Sequence, residues 1–160
     1  MFFIAGIIPM IIGAIYYSEK VCGTKWMNVN GFTKEKLEEG NMPVILGVSY
    51  LMSVILSFGL SNIVIHQPNV YQLMIPDVME AGSAAEATFN EFMATYGDRH
   101  RSYSHGAIHE ILFTILIALP IISINALFEH RGGAYIGIHF GYWLLTLTAI
   151  GALLCGTLVY

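Results

Sequence analysis

Long apolar runs separated by polar stretches organise this chain. Four runs approach the ~20 residues that a helix needs to cross a hydrocarbon core ~30 Å thick. They cover about residues 1–17, 43–65, 104–128 and 133–160. The first is short and holds Pro9, whose ring removes a backbone hydrogen bond and kinks a helix. It has the length of a secretory signal but no basic start and no small-x-small cleavage site, so it reads as a span. Pro43 suits the start of the second helix. The fourth run is long enough to tilt.

The polar intervals are unequal. Loop one, residues 18–42, holds Lys20, Lys25, Lys34 and Lys36. Within it Gly31 to Gly40 predicts a short helix, with Thr33 as its N-cap and Gly40 as its stop. Trp26 and Phe32 suit a membrane interface. Loop two, residues 66–103, is long and holds Arg99 and Arg101. Its middle, Ser83 to Tyr96, mixes small, acidic and apolar residues at helical spacing and predicts an amphipathic helix on the surface. Loop three is a tight turn around Glu129, His130, Arg131 and Gly132. Loops one and three share a side and carry five basic residues against two in loop two. The excess of Lys and Arg then places loops one and three in the cytoplasm and both termini outside. The expected fold is all-α: one membrane domain, a polytopic transmembrane four-helix bundle with short interfacial helices in loops one and two.

Composition agrees. Of 160 residues, 56% are hydrophobic and 11% charged, against about 25% charged in soluble domains. Low charge and high hydropathy also exclude disorder. A net charge of −4 with seven Lys and Arg argues against a nucleic-acid partner. Two cysteines, Cys22 and Cys155, make neither a zinc cage nor a disulfide framework.

Ser49, Ser53, Ser57 and Ser61 recur every four residues in the second run, and Gly133, Gly137 and Gly141 do so in the fourth. Small residues let backbones approach in lipid, so both stripes are candidate helix-packing faces. The serine stripe has a second reading as a polar lining, although each serine can also hydrogen-bond its own helix.

Several segments together resemble a known family. They are Lys25-Trp26-Met27, Gly31 to Leu37, Asn41-Met42-Pro43, His105-Gly106-Ala107-Ile108-His109, Asn125 to Glu129, Gly141-Tyr142-Trp143-Leu144-Leu145 and Gly151-Ala152. Their order and spacing are similar to the DUF1761 family of small four-span bacterial membrane proteins. The resemblance covers nearly the whole chain except loop two. It implies the architecture and a bacterial inner membrane, and no reaction.

Ionisable groups inside a span are costly and mark candidate sites. His105 and His109 share one helical face near the outer surface. His139 lies two turns into the fourth run from the inner side. At 1.5 Å per residue His109 is level with about Gly151, and His109 and His139 are roughly 15–20 Å apart along the axis. One metal cannot join them through bonds of ~2 Å. An outer cluster of Asn62, His66, His100, His105, His109 and Glu110 remains as a polar network or a proton or ion site. His105 and His109 are its nearest approach to a metal pair, which Glu110 or His66 would complete. An inner cluster of Ser123, Asn125, Glu129, His130 and His139 predicts mutual hydrogen bonding across the hairpin. No two histidines face each other at one central depth as a haem requires. No haem, zinc or other cofactor is expected beyond lipid contacts, and a membrane enzyme or metal protein built on the outer histidine cluster is the remaining alternative. Pro120 predicts a kink that frees a carbonyl near Leu116.

There is no Ser/His/Asp constellation, phosphate loop or HExxH motif, so no enzymatic activity is expected. The expected role is a non-catalytic accessory subunit of a larger membrane complex, or a homo-oligomeric membrane protein. Tyr71, Met74, Met79, Phe89, Phe92, Met93 and Tyr96 in loop two would dock a partner subunit or another copy. The alternative is a small proton, ion or solute transporter working as an oligomer.

Overall fold

The computed structural model describes residues 1–158. Val159 and Tyr160, the end of the expected fourth span, lie outside the described residues. Among the described residues all regular structure is helical. The chain runs through α1 (Phe2–Ala5), α2 (Ile8–Tyr16), α3 (Gly23–Asn30), α4 (Lys34–Glu38) and α5 (Met42–Val64). It continues through α6 (Gln67–Leu73), a 3-10 turn (Asp77–Met79), α7 (Ala84–Tyr96) and α8 (Tyr103–Phe113). A π-helical stretch (Thr114–Ala118) joins α8 to α9 (Leu119–Phe128), and α10 (Gly133–Thr157) closes the fold.

Three stretches are long and apolar enough to cross a membrane: Met42–Val64, Tyr103–Phe128 and Gly133–Thr157. The first expected span is a shorter apolar helix. Phe2–Tyr16 is about 22 Å long at the usual helical rise, and it breaks between Ala5 and Ile8 just ahead of Pro9. It still packs into the bundle. Tyr16 Oη donates to Ile138 O at 3.0 Å, and Tyr142 Oη donates to Pro9 O at 3.0 Å. Gly6 sits against Val54 of α5, so the segment runs antiparallel to both α5 and α10.

The interfacial helices form where caps permit. Thr33 Oγ1 accepts from the Lys36 N–H at the start of α4. Ser83 Oγ accepts from the Glu86 N–H at the start of α7, and Glu86 in turn accepts from the Gly82 N–H at 2.6 Å. Such reciprocal bonds satisfy the orphan donors of a first turn. α3 and α6 were not expected. Around Pro120 the kink takes the form of the π-helical stretch, whose wider turn accommodates the missing N–H without breaking the helix from Tyr103 to Phe128.

The buried core joins Ala5, Leu60, Val64, Ile65, Leu147, Ile150, Leu154 and Cys155. Its tightest seam is α8 on α10. A Cβ at Gly106 would overlap the Gly151 carbonyl, and one at Gly151 would overlap the Glu110 side chain. Here the backbones touch, as small residues allow in lipid. The expected glycine stripe is corrected in part. Gly133 and Gly137 have nothing within 4 Å of a built Cβ, whereas Gly141 meets the Tyr16 hydroxyl. The serine stripe does turn inward at Ser53, Ser57 and Ser61, but Ser49 is exposed. Ser53 and Ser57 donate to the carbonyls four residues back, and Ser61 to Phe58 O. Their hydroxyls therefore serve their own helix.

Candidate functional site

Four of the chain's six histidines meet where α5 ends and α8 begins. Ile65 leaves α5 in an extended conformation, which turns the chain and puts His66 beside α8. Ser102 caps α8 by accepting from the His105 N–H at 3.2 Å. That cap fixes the first turn of α8, from which His105 and then His109 project one turn apart.

The rings converge. His66 Nε2 and His105 Nε2 lie 3.1 Å apart. Ring centroids are 5.0 Å apart for His66 and His109 and 4.4 Å for His105 and His109. One nitrogen from each of the three lies within 4.8 Å of the others. His100, held with a φ of 61°, stacks on His105 at 4.8 Å. Burial, then the neighbouring His109 and His100, lowers the His66 pKa below its ordinary 6.5. Desolvation and nearby positive charge both disfavour the imidazolium, so His66 keeps its lone pair.

Two side chains hold this geometry. The buried Cys155 thiol of α10 lies 3.3 Å from Val64 O and 3.2 Å from His100 O. Gln67 Nε2 donates to Gly97 O at 2.6 Å and to Arg99 O at 3.2 Å. Together they clip the exit of α5 to the strand of chain entering α8. A cavity of about 300 Å³ adjoins the rings, lined by His66, His100, Val70, Phe92, Tyr96 and Arg99. Arg99 lies over the Tyr96 ring at 4.5 Å.

The outer cluster needs two corrections. Asn62 bonds Phe58 O of its own helix and takes no part in the ring cluster. Glu110, expected as a completing ligand, turns to α10. It is fully buried against Gly151 with both carboxylate oxygens unpartnered. Its neighbour Thr114 donates to the Glu110 backbone carbonyl instead. The sequence-based depths do hold: the residue facing Gly151 is Glu110, one position from the expected His109.

The inner cluster does not form as expected. Among the described residues no hydrogen bond joins His139 to Ser123 or Asn125. His139 packs on Tyr135 at 4.3 Å and on Tyr17 at 6.4 Å, and its Nε2 is buried without a partner. The hairpin places α9 and α10 side by side, but His139 faces the loop-one side of α10. Of the loop-two residues, Tyr71 packs on Phe89 and Phe92 on Tyr96. Tyr71, Met79, Phe92 and Tyr96 stay exposed, while Met74, Phe89 and Met93 are half-buried. Sequence reasoning missed Gln67, Gly106 and the clipping role of Cys155. Gly106 had one available signal, a glycine one turn into an apolar helix, between His105 and His109.

These features define a small all-helical protein with three helices able to span a membrane and a histidine cluster at one end of the bundle. The family model described as "Protein of unknown function (DUF1761)" matches residues 1–155, and the chain belongs to that family. No curated protein and no solved structure matches it.

Proposed function

We propose that the chain is an integral membrane protein without catalysis of its own, working as a subunit packed against transmembrane helices of a larger complex or of further copies of itself. One observation carries this reading. A groove of about 850 Å³ lies between α2, α5 and α10, lined by Gly13, Ala14, Leu46, Ser49, Tyr142 and Trp143 among others. Every residue of α5 from Met42 to Ser49 is exposed, and a Cβ built at Gly47 would meet nothing outside its own helix within 4 Å. A spanning helix faces lipid on one side, but in the first part of α5 the small residue Ser49, above the buried Ser53, Ser57 and Ser61, is also left open at the groove. Small residues allow a further helix to approach closely, so the occupant that suits this groove is a transmembrane helix of another subunit. The seam partner is equally bare: from Tyr103 to Phe128 only Gly106, Glu110, Thr114 and Ala126 are buried.

The exposed aromatic and methionine residues of loop two support a docking role at the histidine end. A bacterial inner membrane with loops one and three in the cytoplasm completes the proposal. In its support, Arg131 Nη1 donates to Val29 O at 3.2 Å, which brings the two basic loops to one end. Cys22 in loop one is then labelled by an impermeant maleimide in inside-out vesicles and not in intact cells. Labelling in intact cells contradicts this orientation. Gentle extraction from native membranes followed by native mass spectrometry tests the association: a stoichiometric assembly is expected, and a lone chain overturns it.

Transport is the second reading, favoured by Glu110, a buried carboxylate at membrane depth that a passing cation would engage. The inward serines weaken it because their hydroxyls are committed to their own helix. Absence of ion flux in proteoliposomes removes it.

A further inference from the structure

We propose that His66, His105 and His109 form a site for one divalent transition-metal ion of the zinc–copper class, with a fourth coordination position open to the adjoining cavity. All three histidines belong to one chain, so the site needs no subunit partner. Three neutral imidazoles suit zinc, copper, nickel or iron and not magnesium or calcium, which prefer oxygen. In a tetrahedral site with bonds of about 2.0–2.1 Å, ligand nitrogens stand roughly 3.4 Å apart. His66 Nε2 and His105 Nε2 are 3.1 Å apart, and all three donor atoms lie within 4.8 Å of one another. Small ring rotations therefore reach the metal-bound arrangement.

A hydrogen bond between two neutral imidazoles also accounts for the 3.1 Å approach. It does not account for the third ring, which closes on both others. Nor does it account for the support around them. His66 comes from the end of α5 and the other two from α8, and the chain segments are clipped by Gln67 and Cys155. Preorganisation of this kind favours a metal site, since ligands already held lose less entropy when the ion binds. Three protein ligands and one free position is the arrangement of sites that bind an exchangeable fourth ligand rather than closed structural sites. A cavity of about 300 Å³ reaches the cluster on its His66 side, lined by His66 and His100, and offers an entry path. Glu110 supplies no ligand atom to the three-histidine group.

The test uses full-length protein without a histidine tag, purified in mild detergent, stripped with chelator and titrated with Zn²⁺. The expected result is one ion per chain, and Co²⁺ in its place gives the intense visible bands of four-coordinate cobalt. His105→Gln and His109→Gln each weaken Zn²⁺ binding by more than the roughly 10–100-fold that loss of an outer-shell partner costs. His139→Gln leaves the stoichiometry at one. Circular dichroism and gel filtration accompany each variant, and the cobalt spectrum of the unmutated chain stands even where a variant fails to fold. No Zn²⁺ bound above the detergent blank, or binding undiminished in His109→Gln, overturns the proposal.

Discussion

At one end of the bundle, four histidine rings, a thiol within reach of two carbonyls and a touching glycine seam converge; at the other, His139 rests among tyrosines while Gly133 and Gly137 face open space. The chain closes the second end with a four-residue turn, and a short connection needs little side-chain help to bring α9 and α10 together. The first end must join segments 39 residues apart across a long loop. Loop closure costs entropy, and Gln67, Cys155 and the Ser102 cap offset it with specific bonds. Residues that constrain a site cluster where the topology leaves it least constrained.

Four substitutions or conditions sharpen this contrast. The largest effect belongs to Gly106→Ala. Its new Cβ meets backbone, which cannot swing aside, so stability should fall by about 3 kcal/mol, the upper end for overpacking. Thermal unfolding in detergent measures it, and an unchanged unfolding temperature would mean the seam is looser than described. Next, Cys155→Ala removes a buried donor from Val64 O and His100 O and should cost about 1 kcal/mol, with faster hydrogen exchange confined to residues near His100. Exchange that rises at the hairpin end instead would separate Cys155 from the site.

The same change of residue gives the opposite sign at the other end. Gly137→Ala meets nothing within 4 Å and should raise stability by up to about 1 kcal/mol through helix propensity. The smallest effect is that of pH on the metal-free protein. The His66 pKa is lowered from 6.5, so between the two values the unfolded chain binds a proton that the folded chain refuses. Stability is therefore full above pH 6.5 and declines as pH falls towards the lowered folded value. His66→Gln should flatten that decline, and a rise in unfolding temperature on acidification would refute the sign.

Local physics made much of the fold legible. Apolar runs located the three long helices, and Thr33 and Ser83 announced α4 and α7 because an N-cap acts within one turn. The depth match between α8 and α10 was also readable, since a tight hairpin and a fixed helical rise leave one register. In the first segment Pro9 marked an interruption, and the helix breaks just ahead of it, between Ala5 and Ile8. At the site, the spacing of His105 and His109 was visible and His66 was expected beside them, but the choice of His66 over Glu110 as the third member was not legible, because nothing local encodes which way each side chain turns. Glu110 and His139 were misassigned for a related reason. A helical residue's neighbours depend on rotation about the helix axis, and a hairpin fixes depth far better than rotation.

The central claim is that this chain functions in association, through the groove between α2, α5 and α10. The most direct measurement compares native mass spectra of the unmutated protein and Ser49→Trp, gently extracted from membranes. Ser49 is exposed and lines the groove, so the indole should fill it without disturbing the core. The unmutated chain should appear as a stoichiometric assembly and the variant as a single folded chain, with equal helicity. A lone unmutated chain, or a variant that assembles as before, would contradict it.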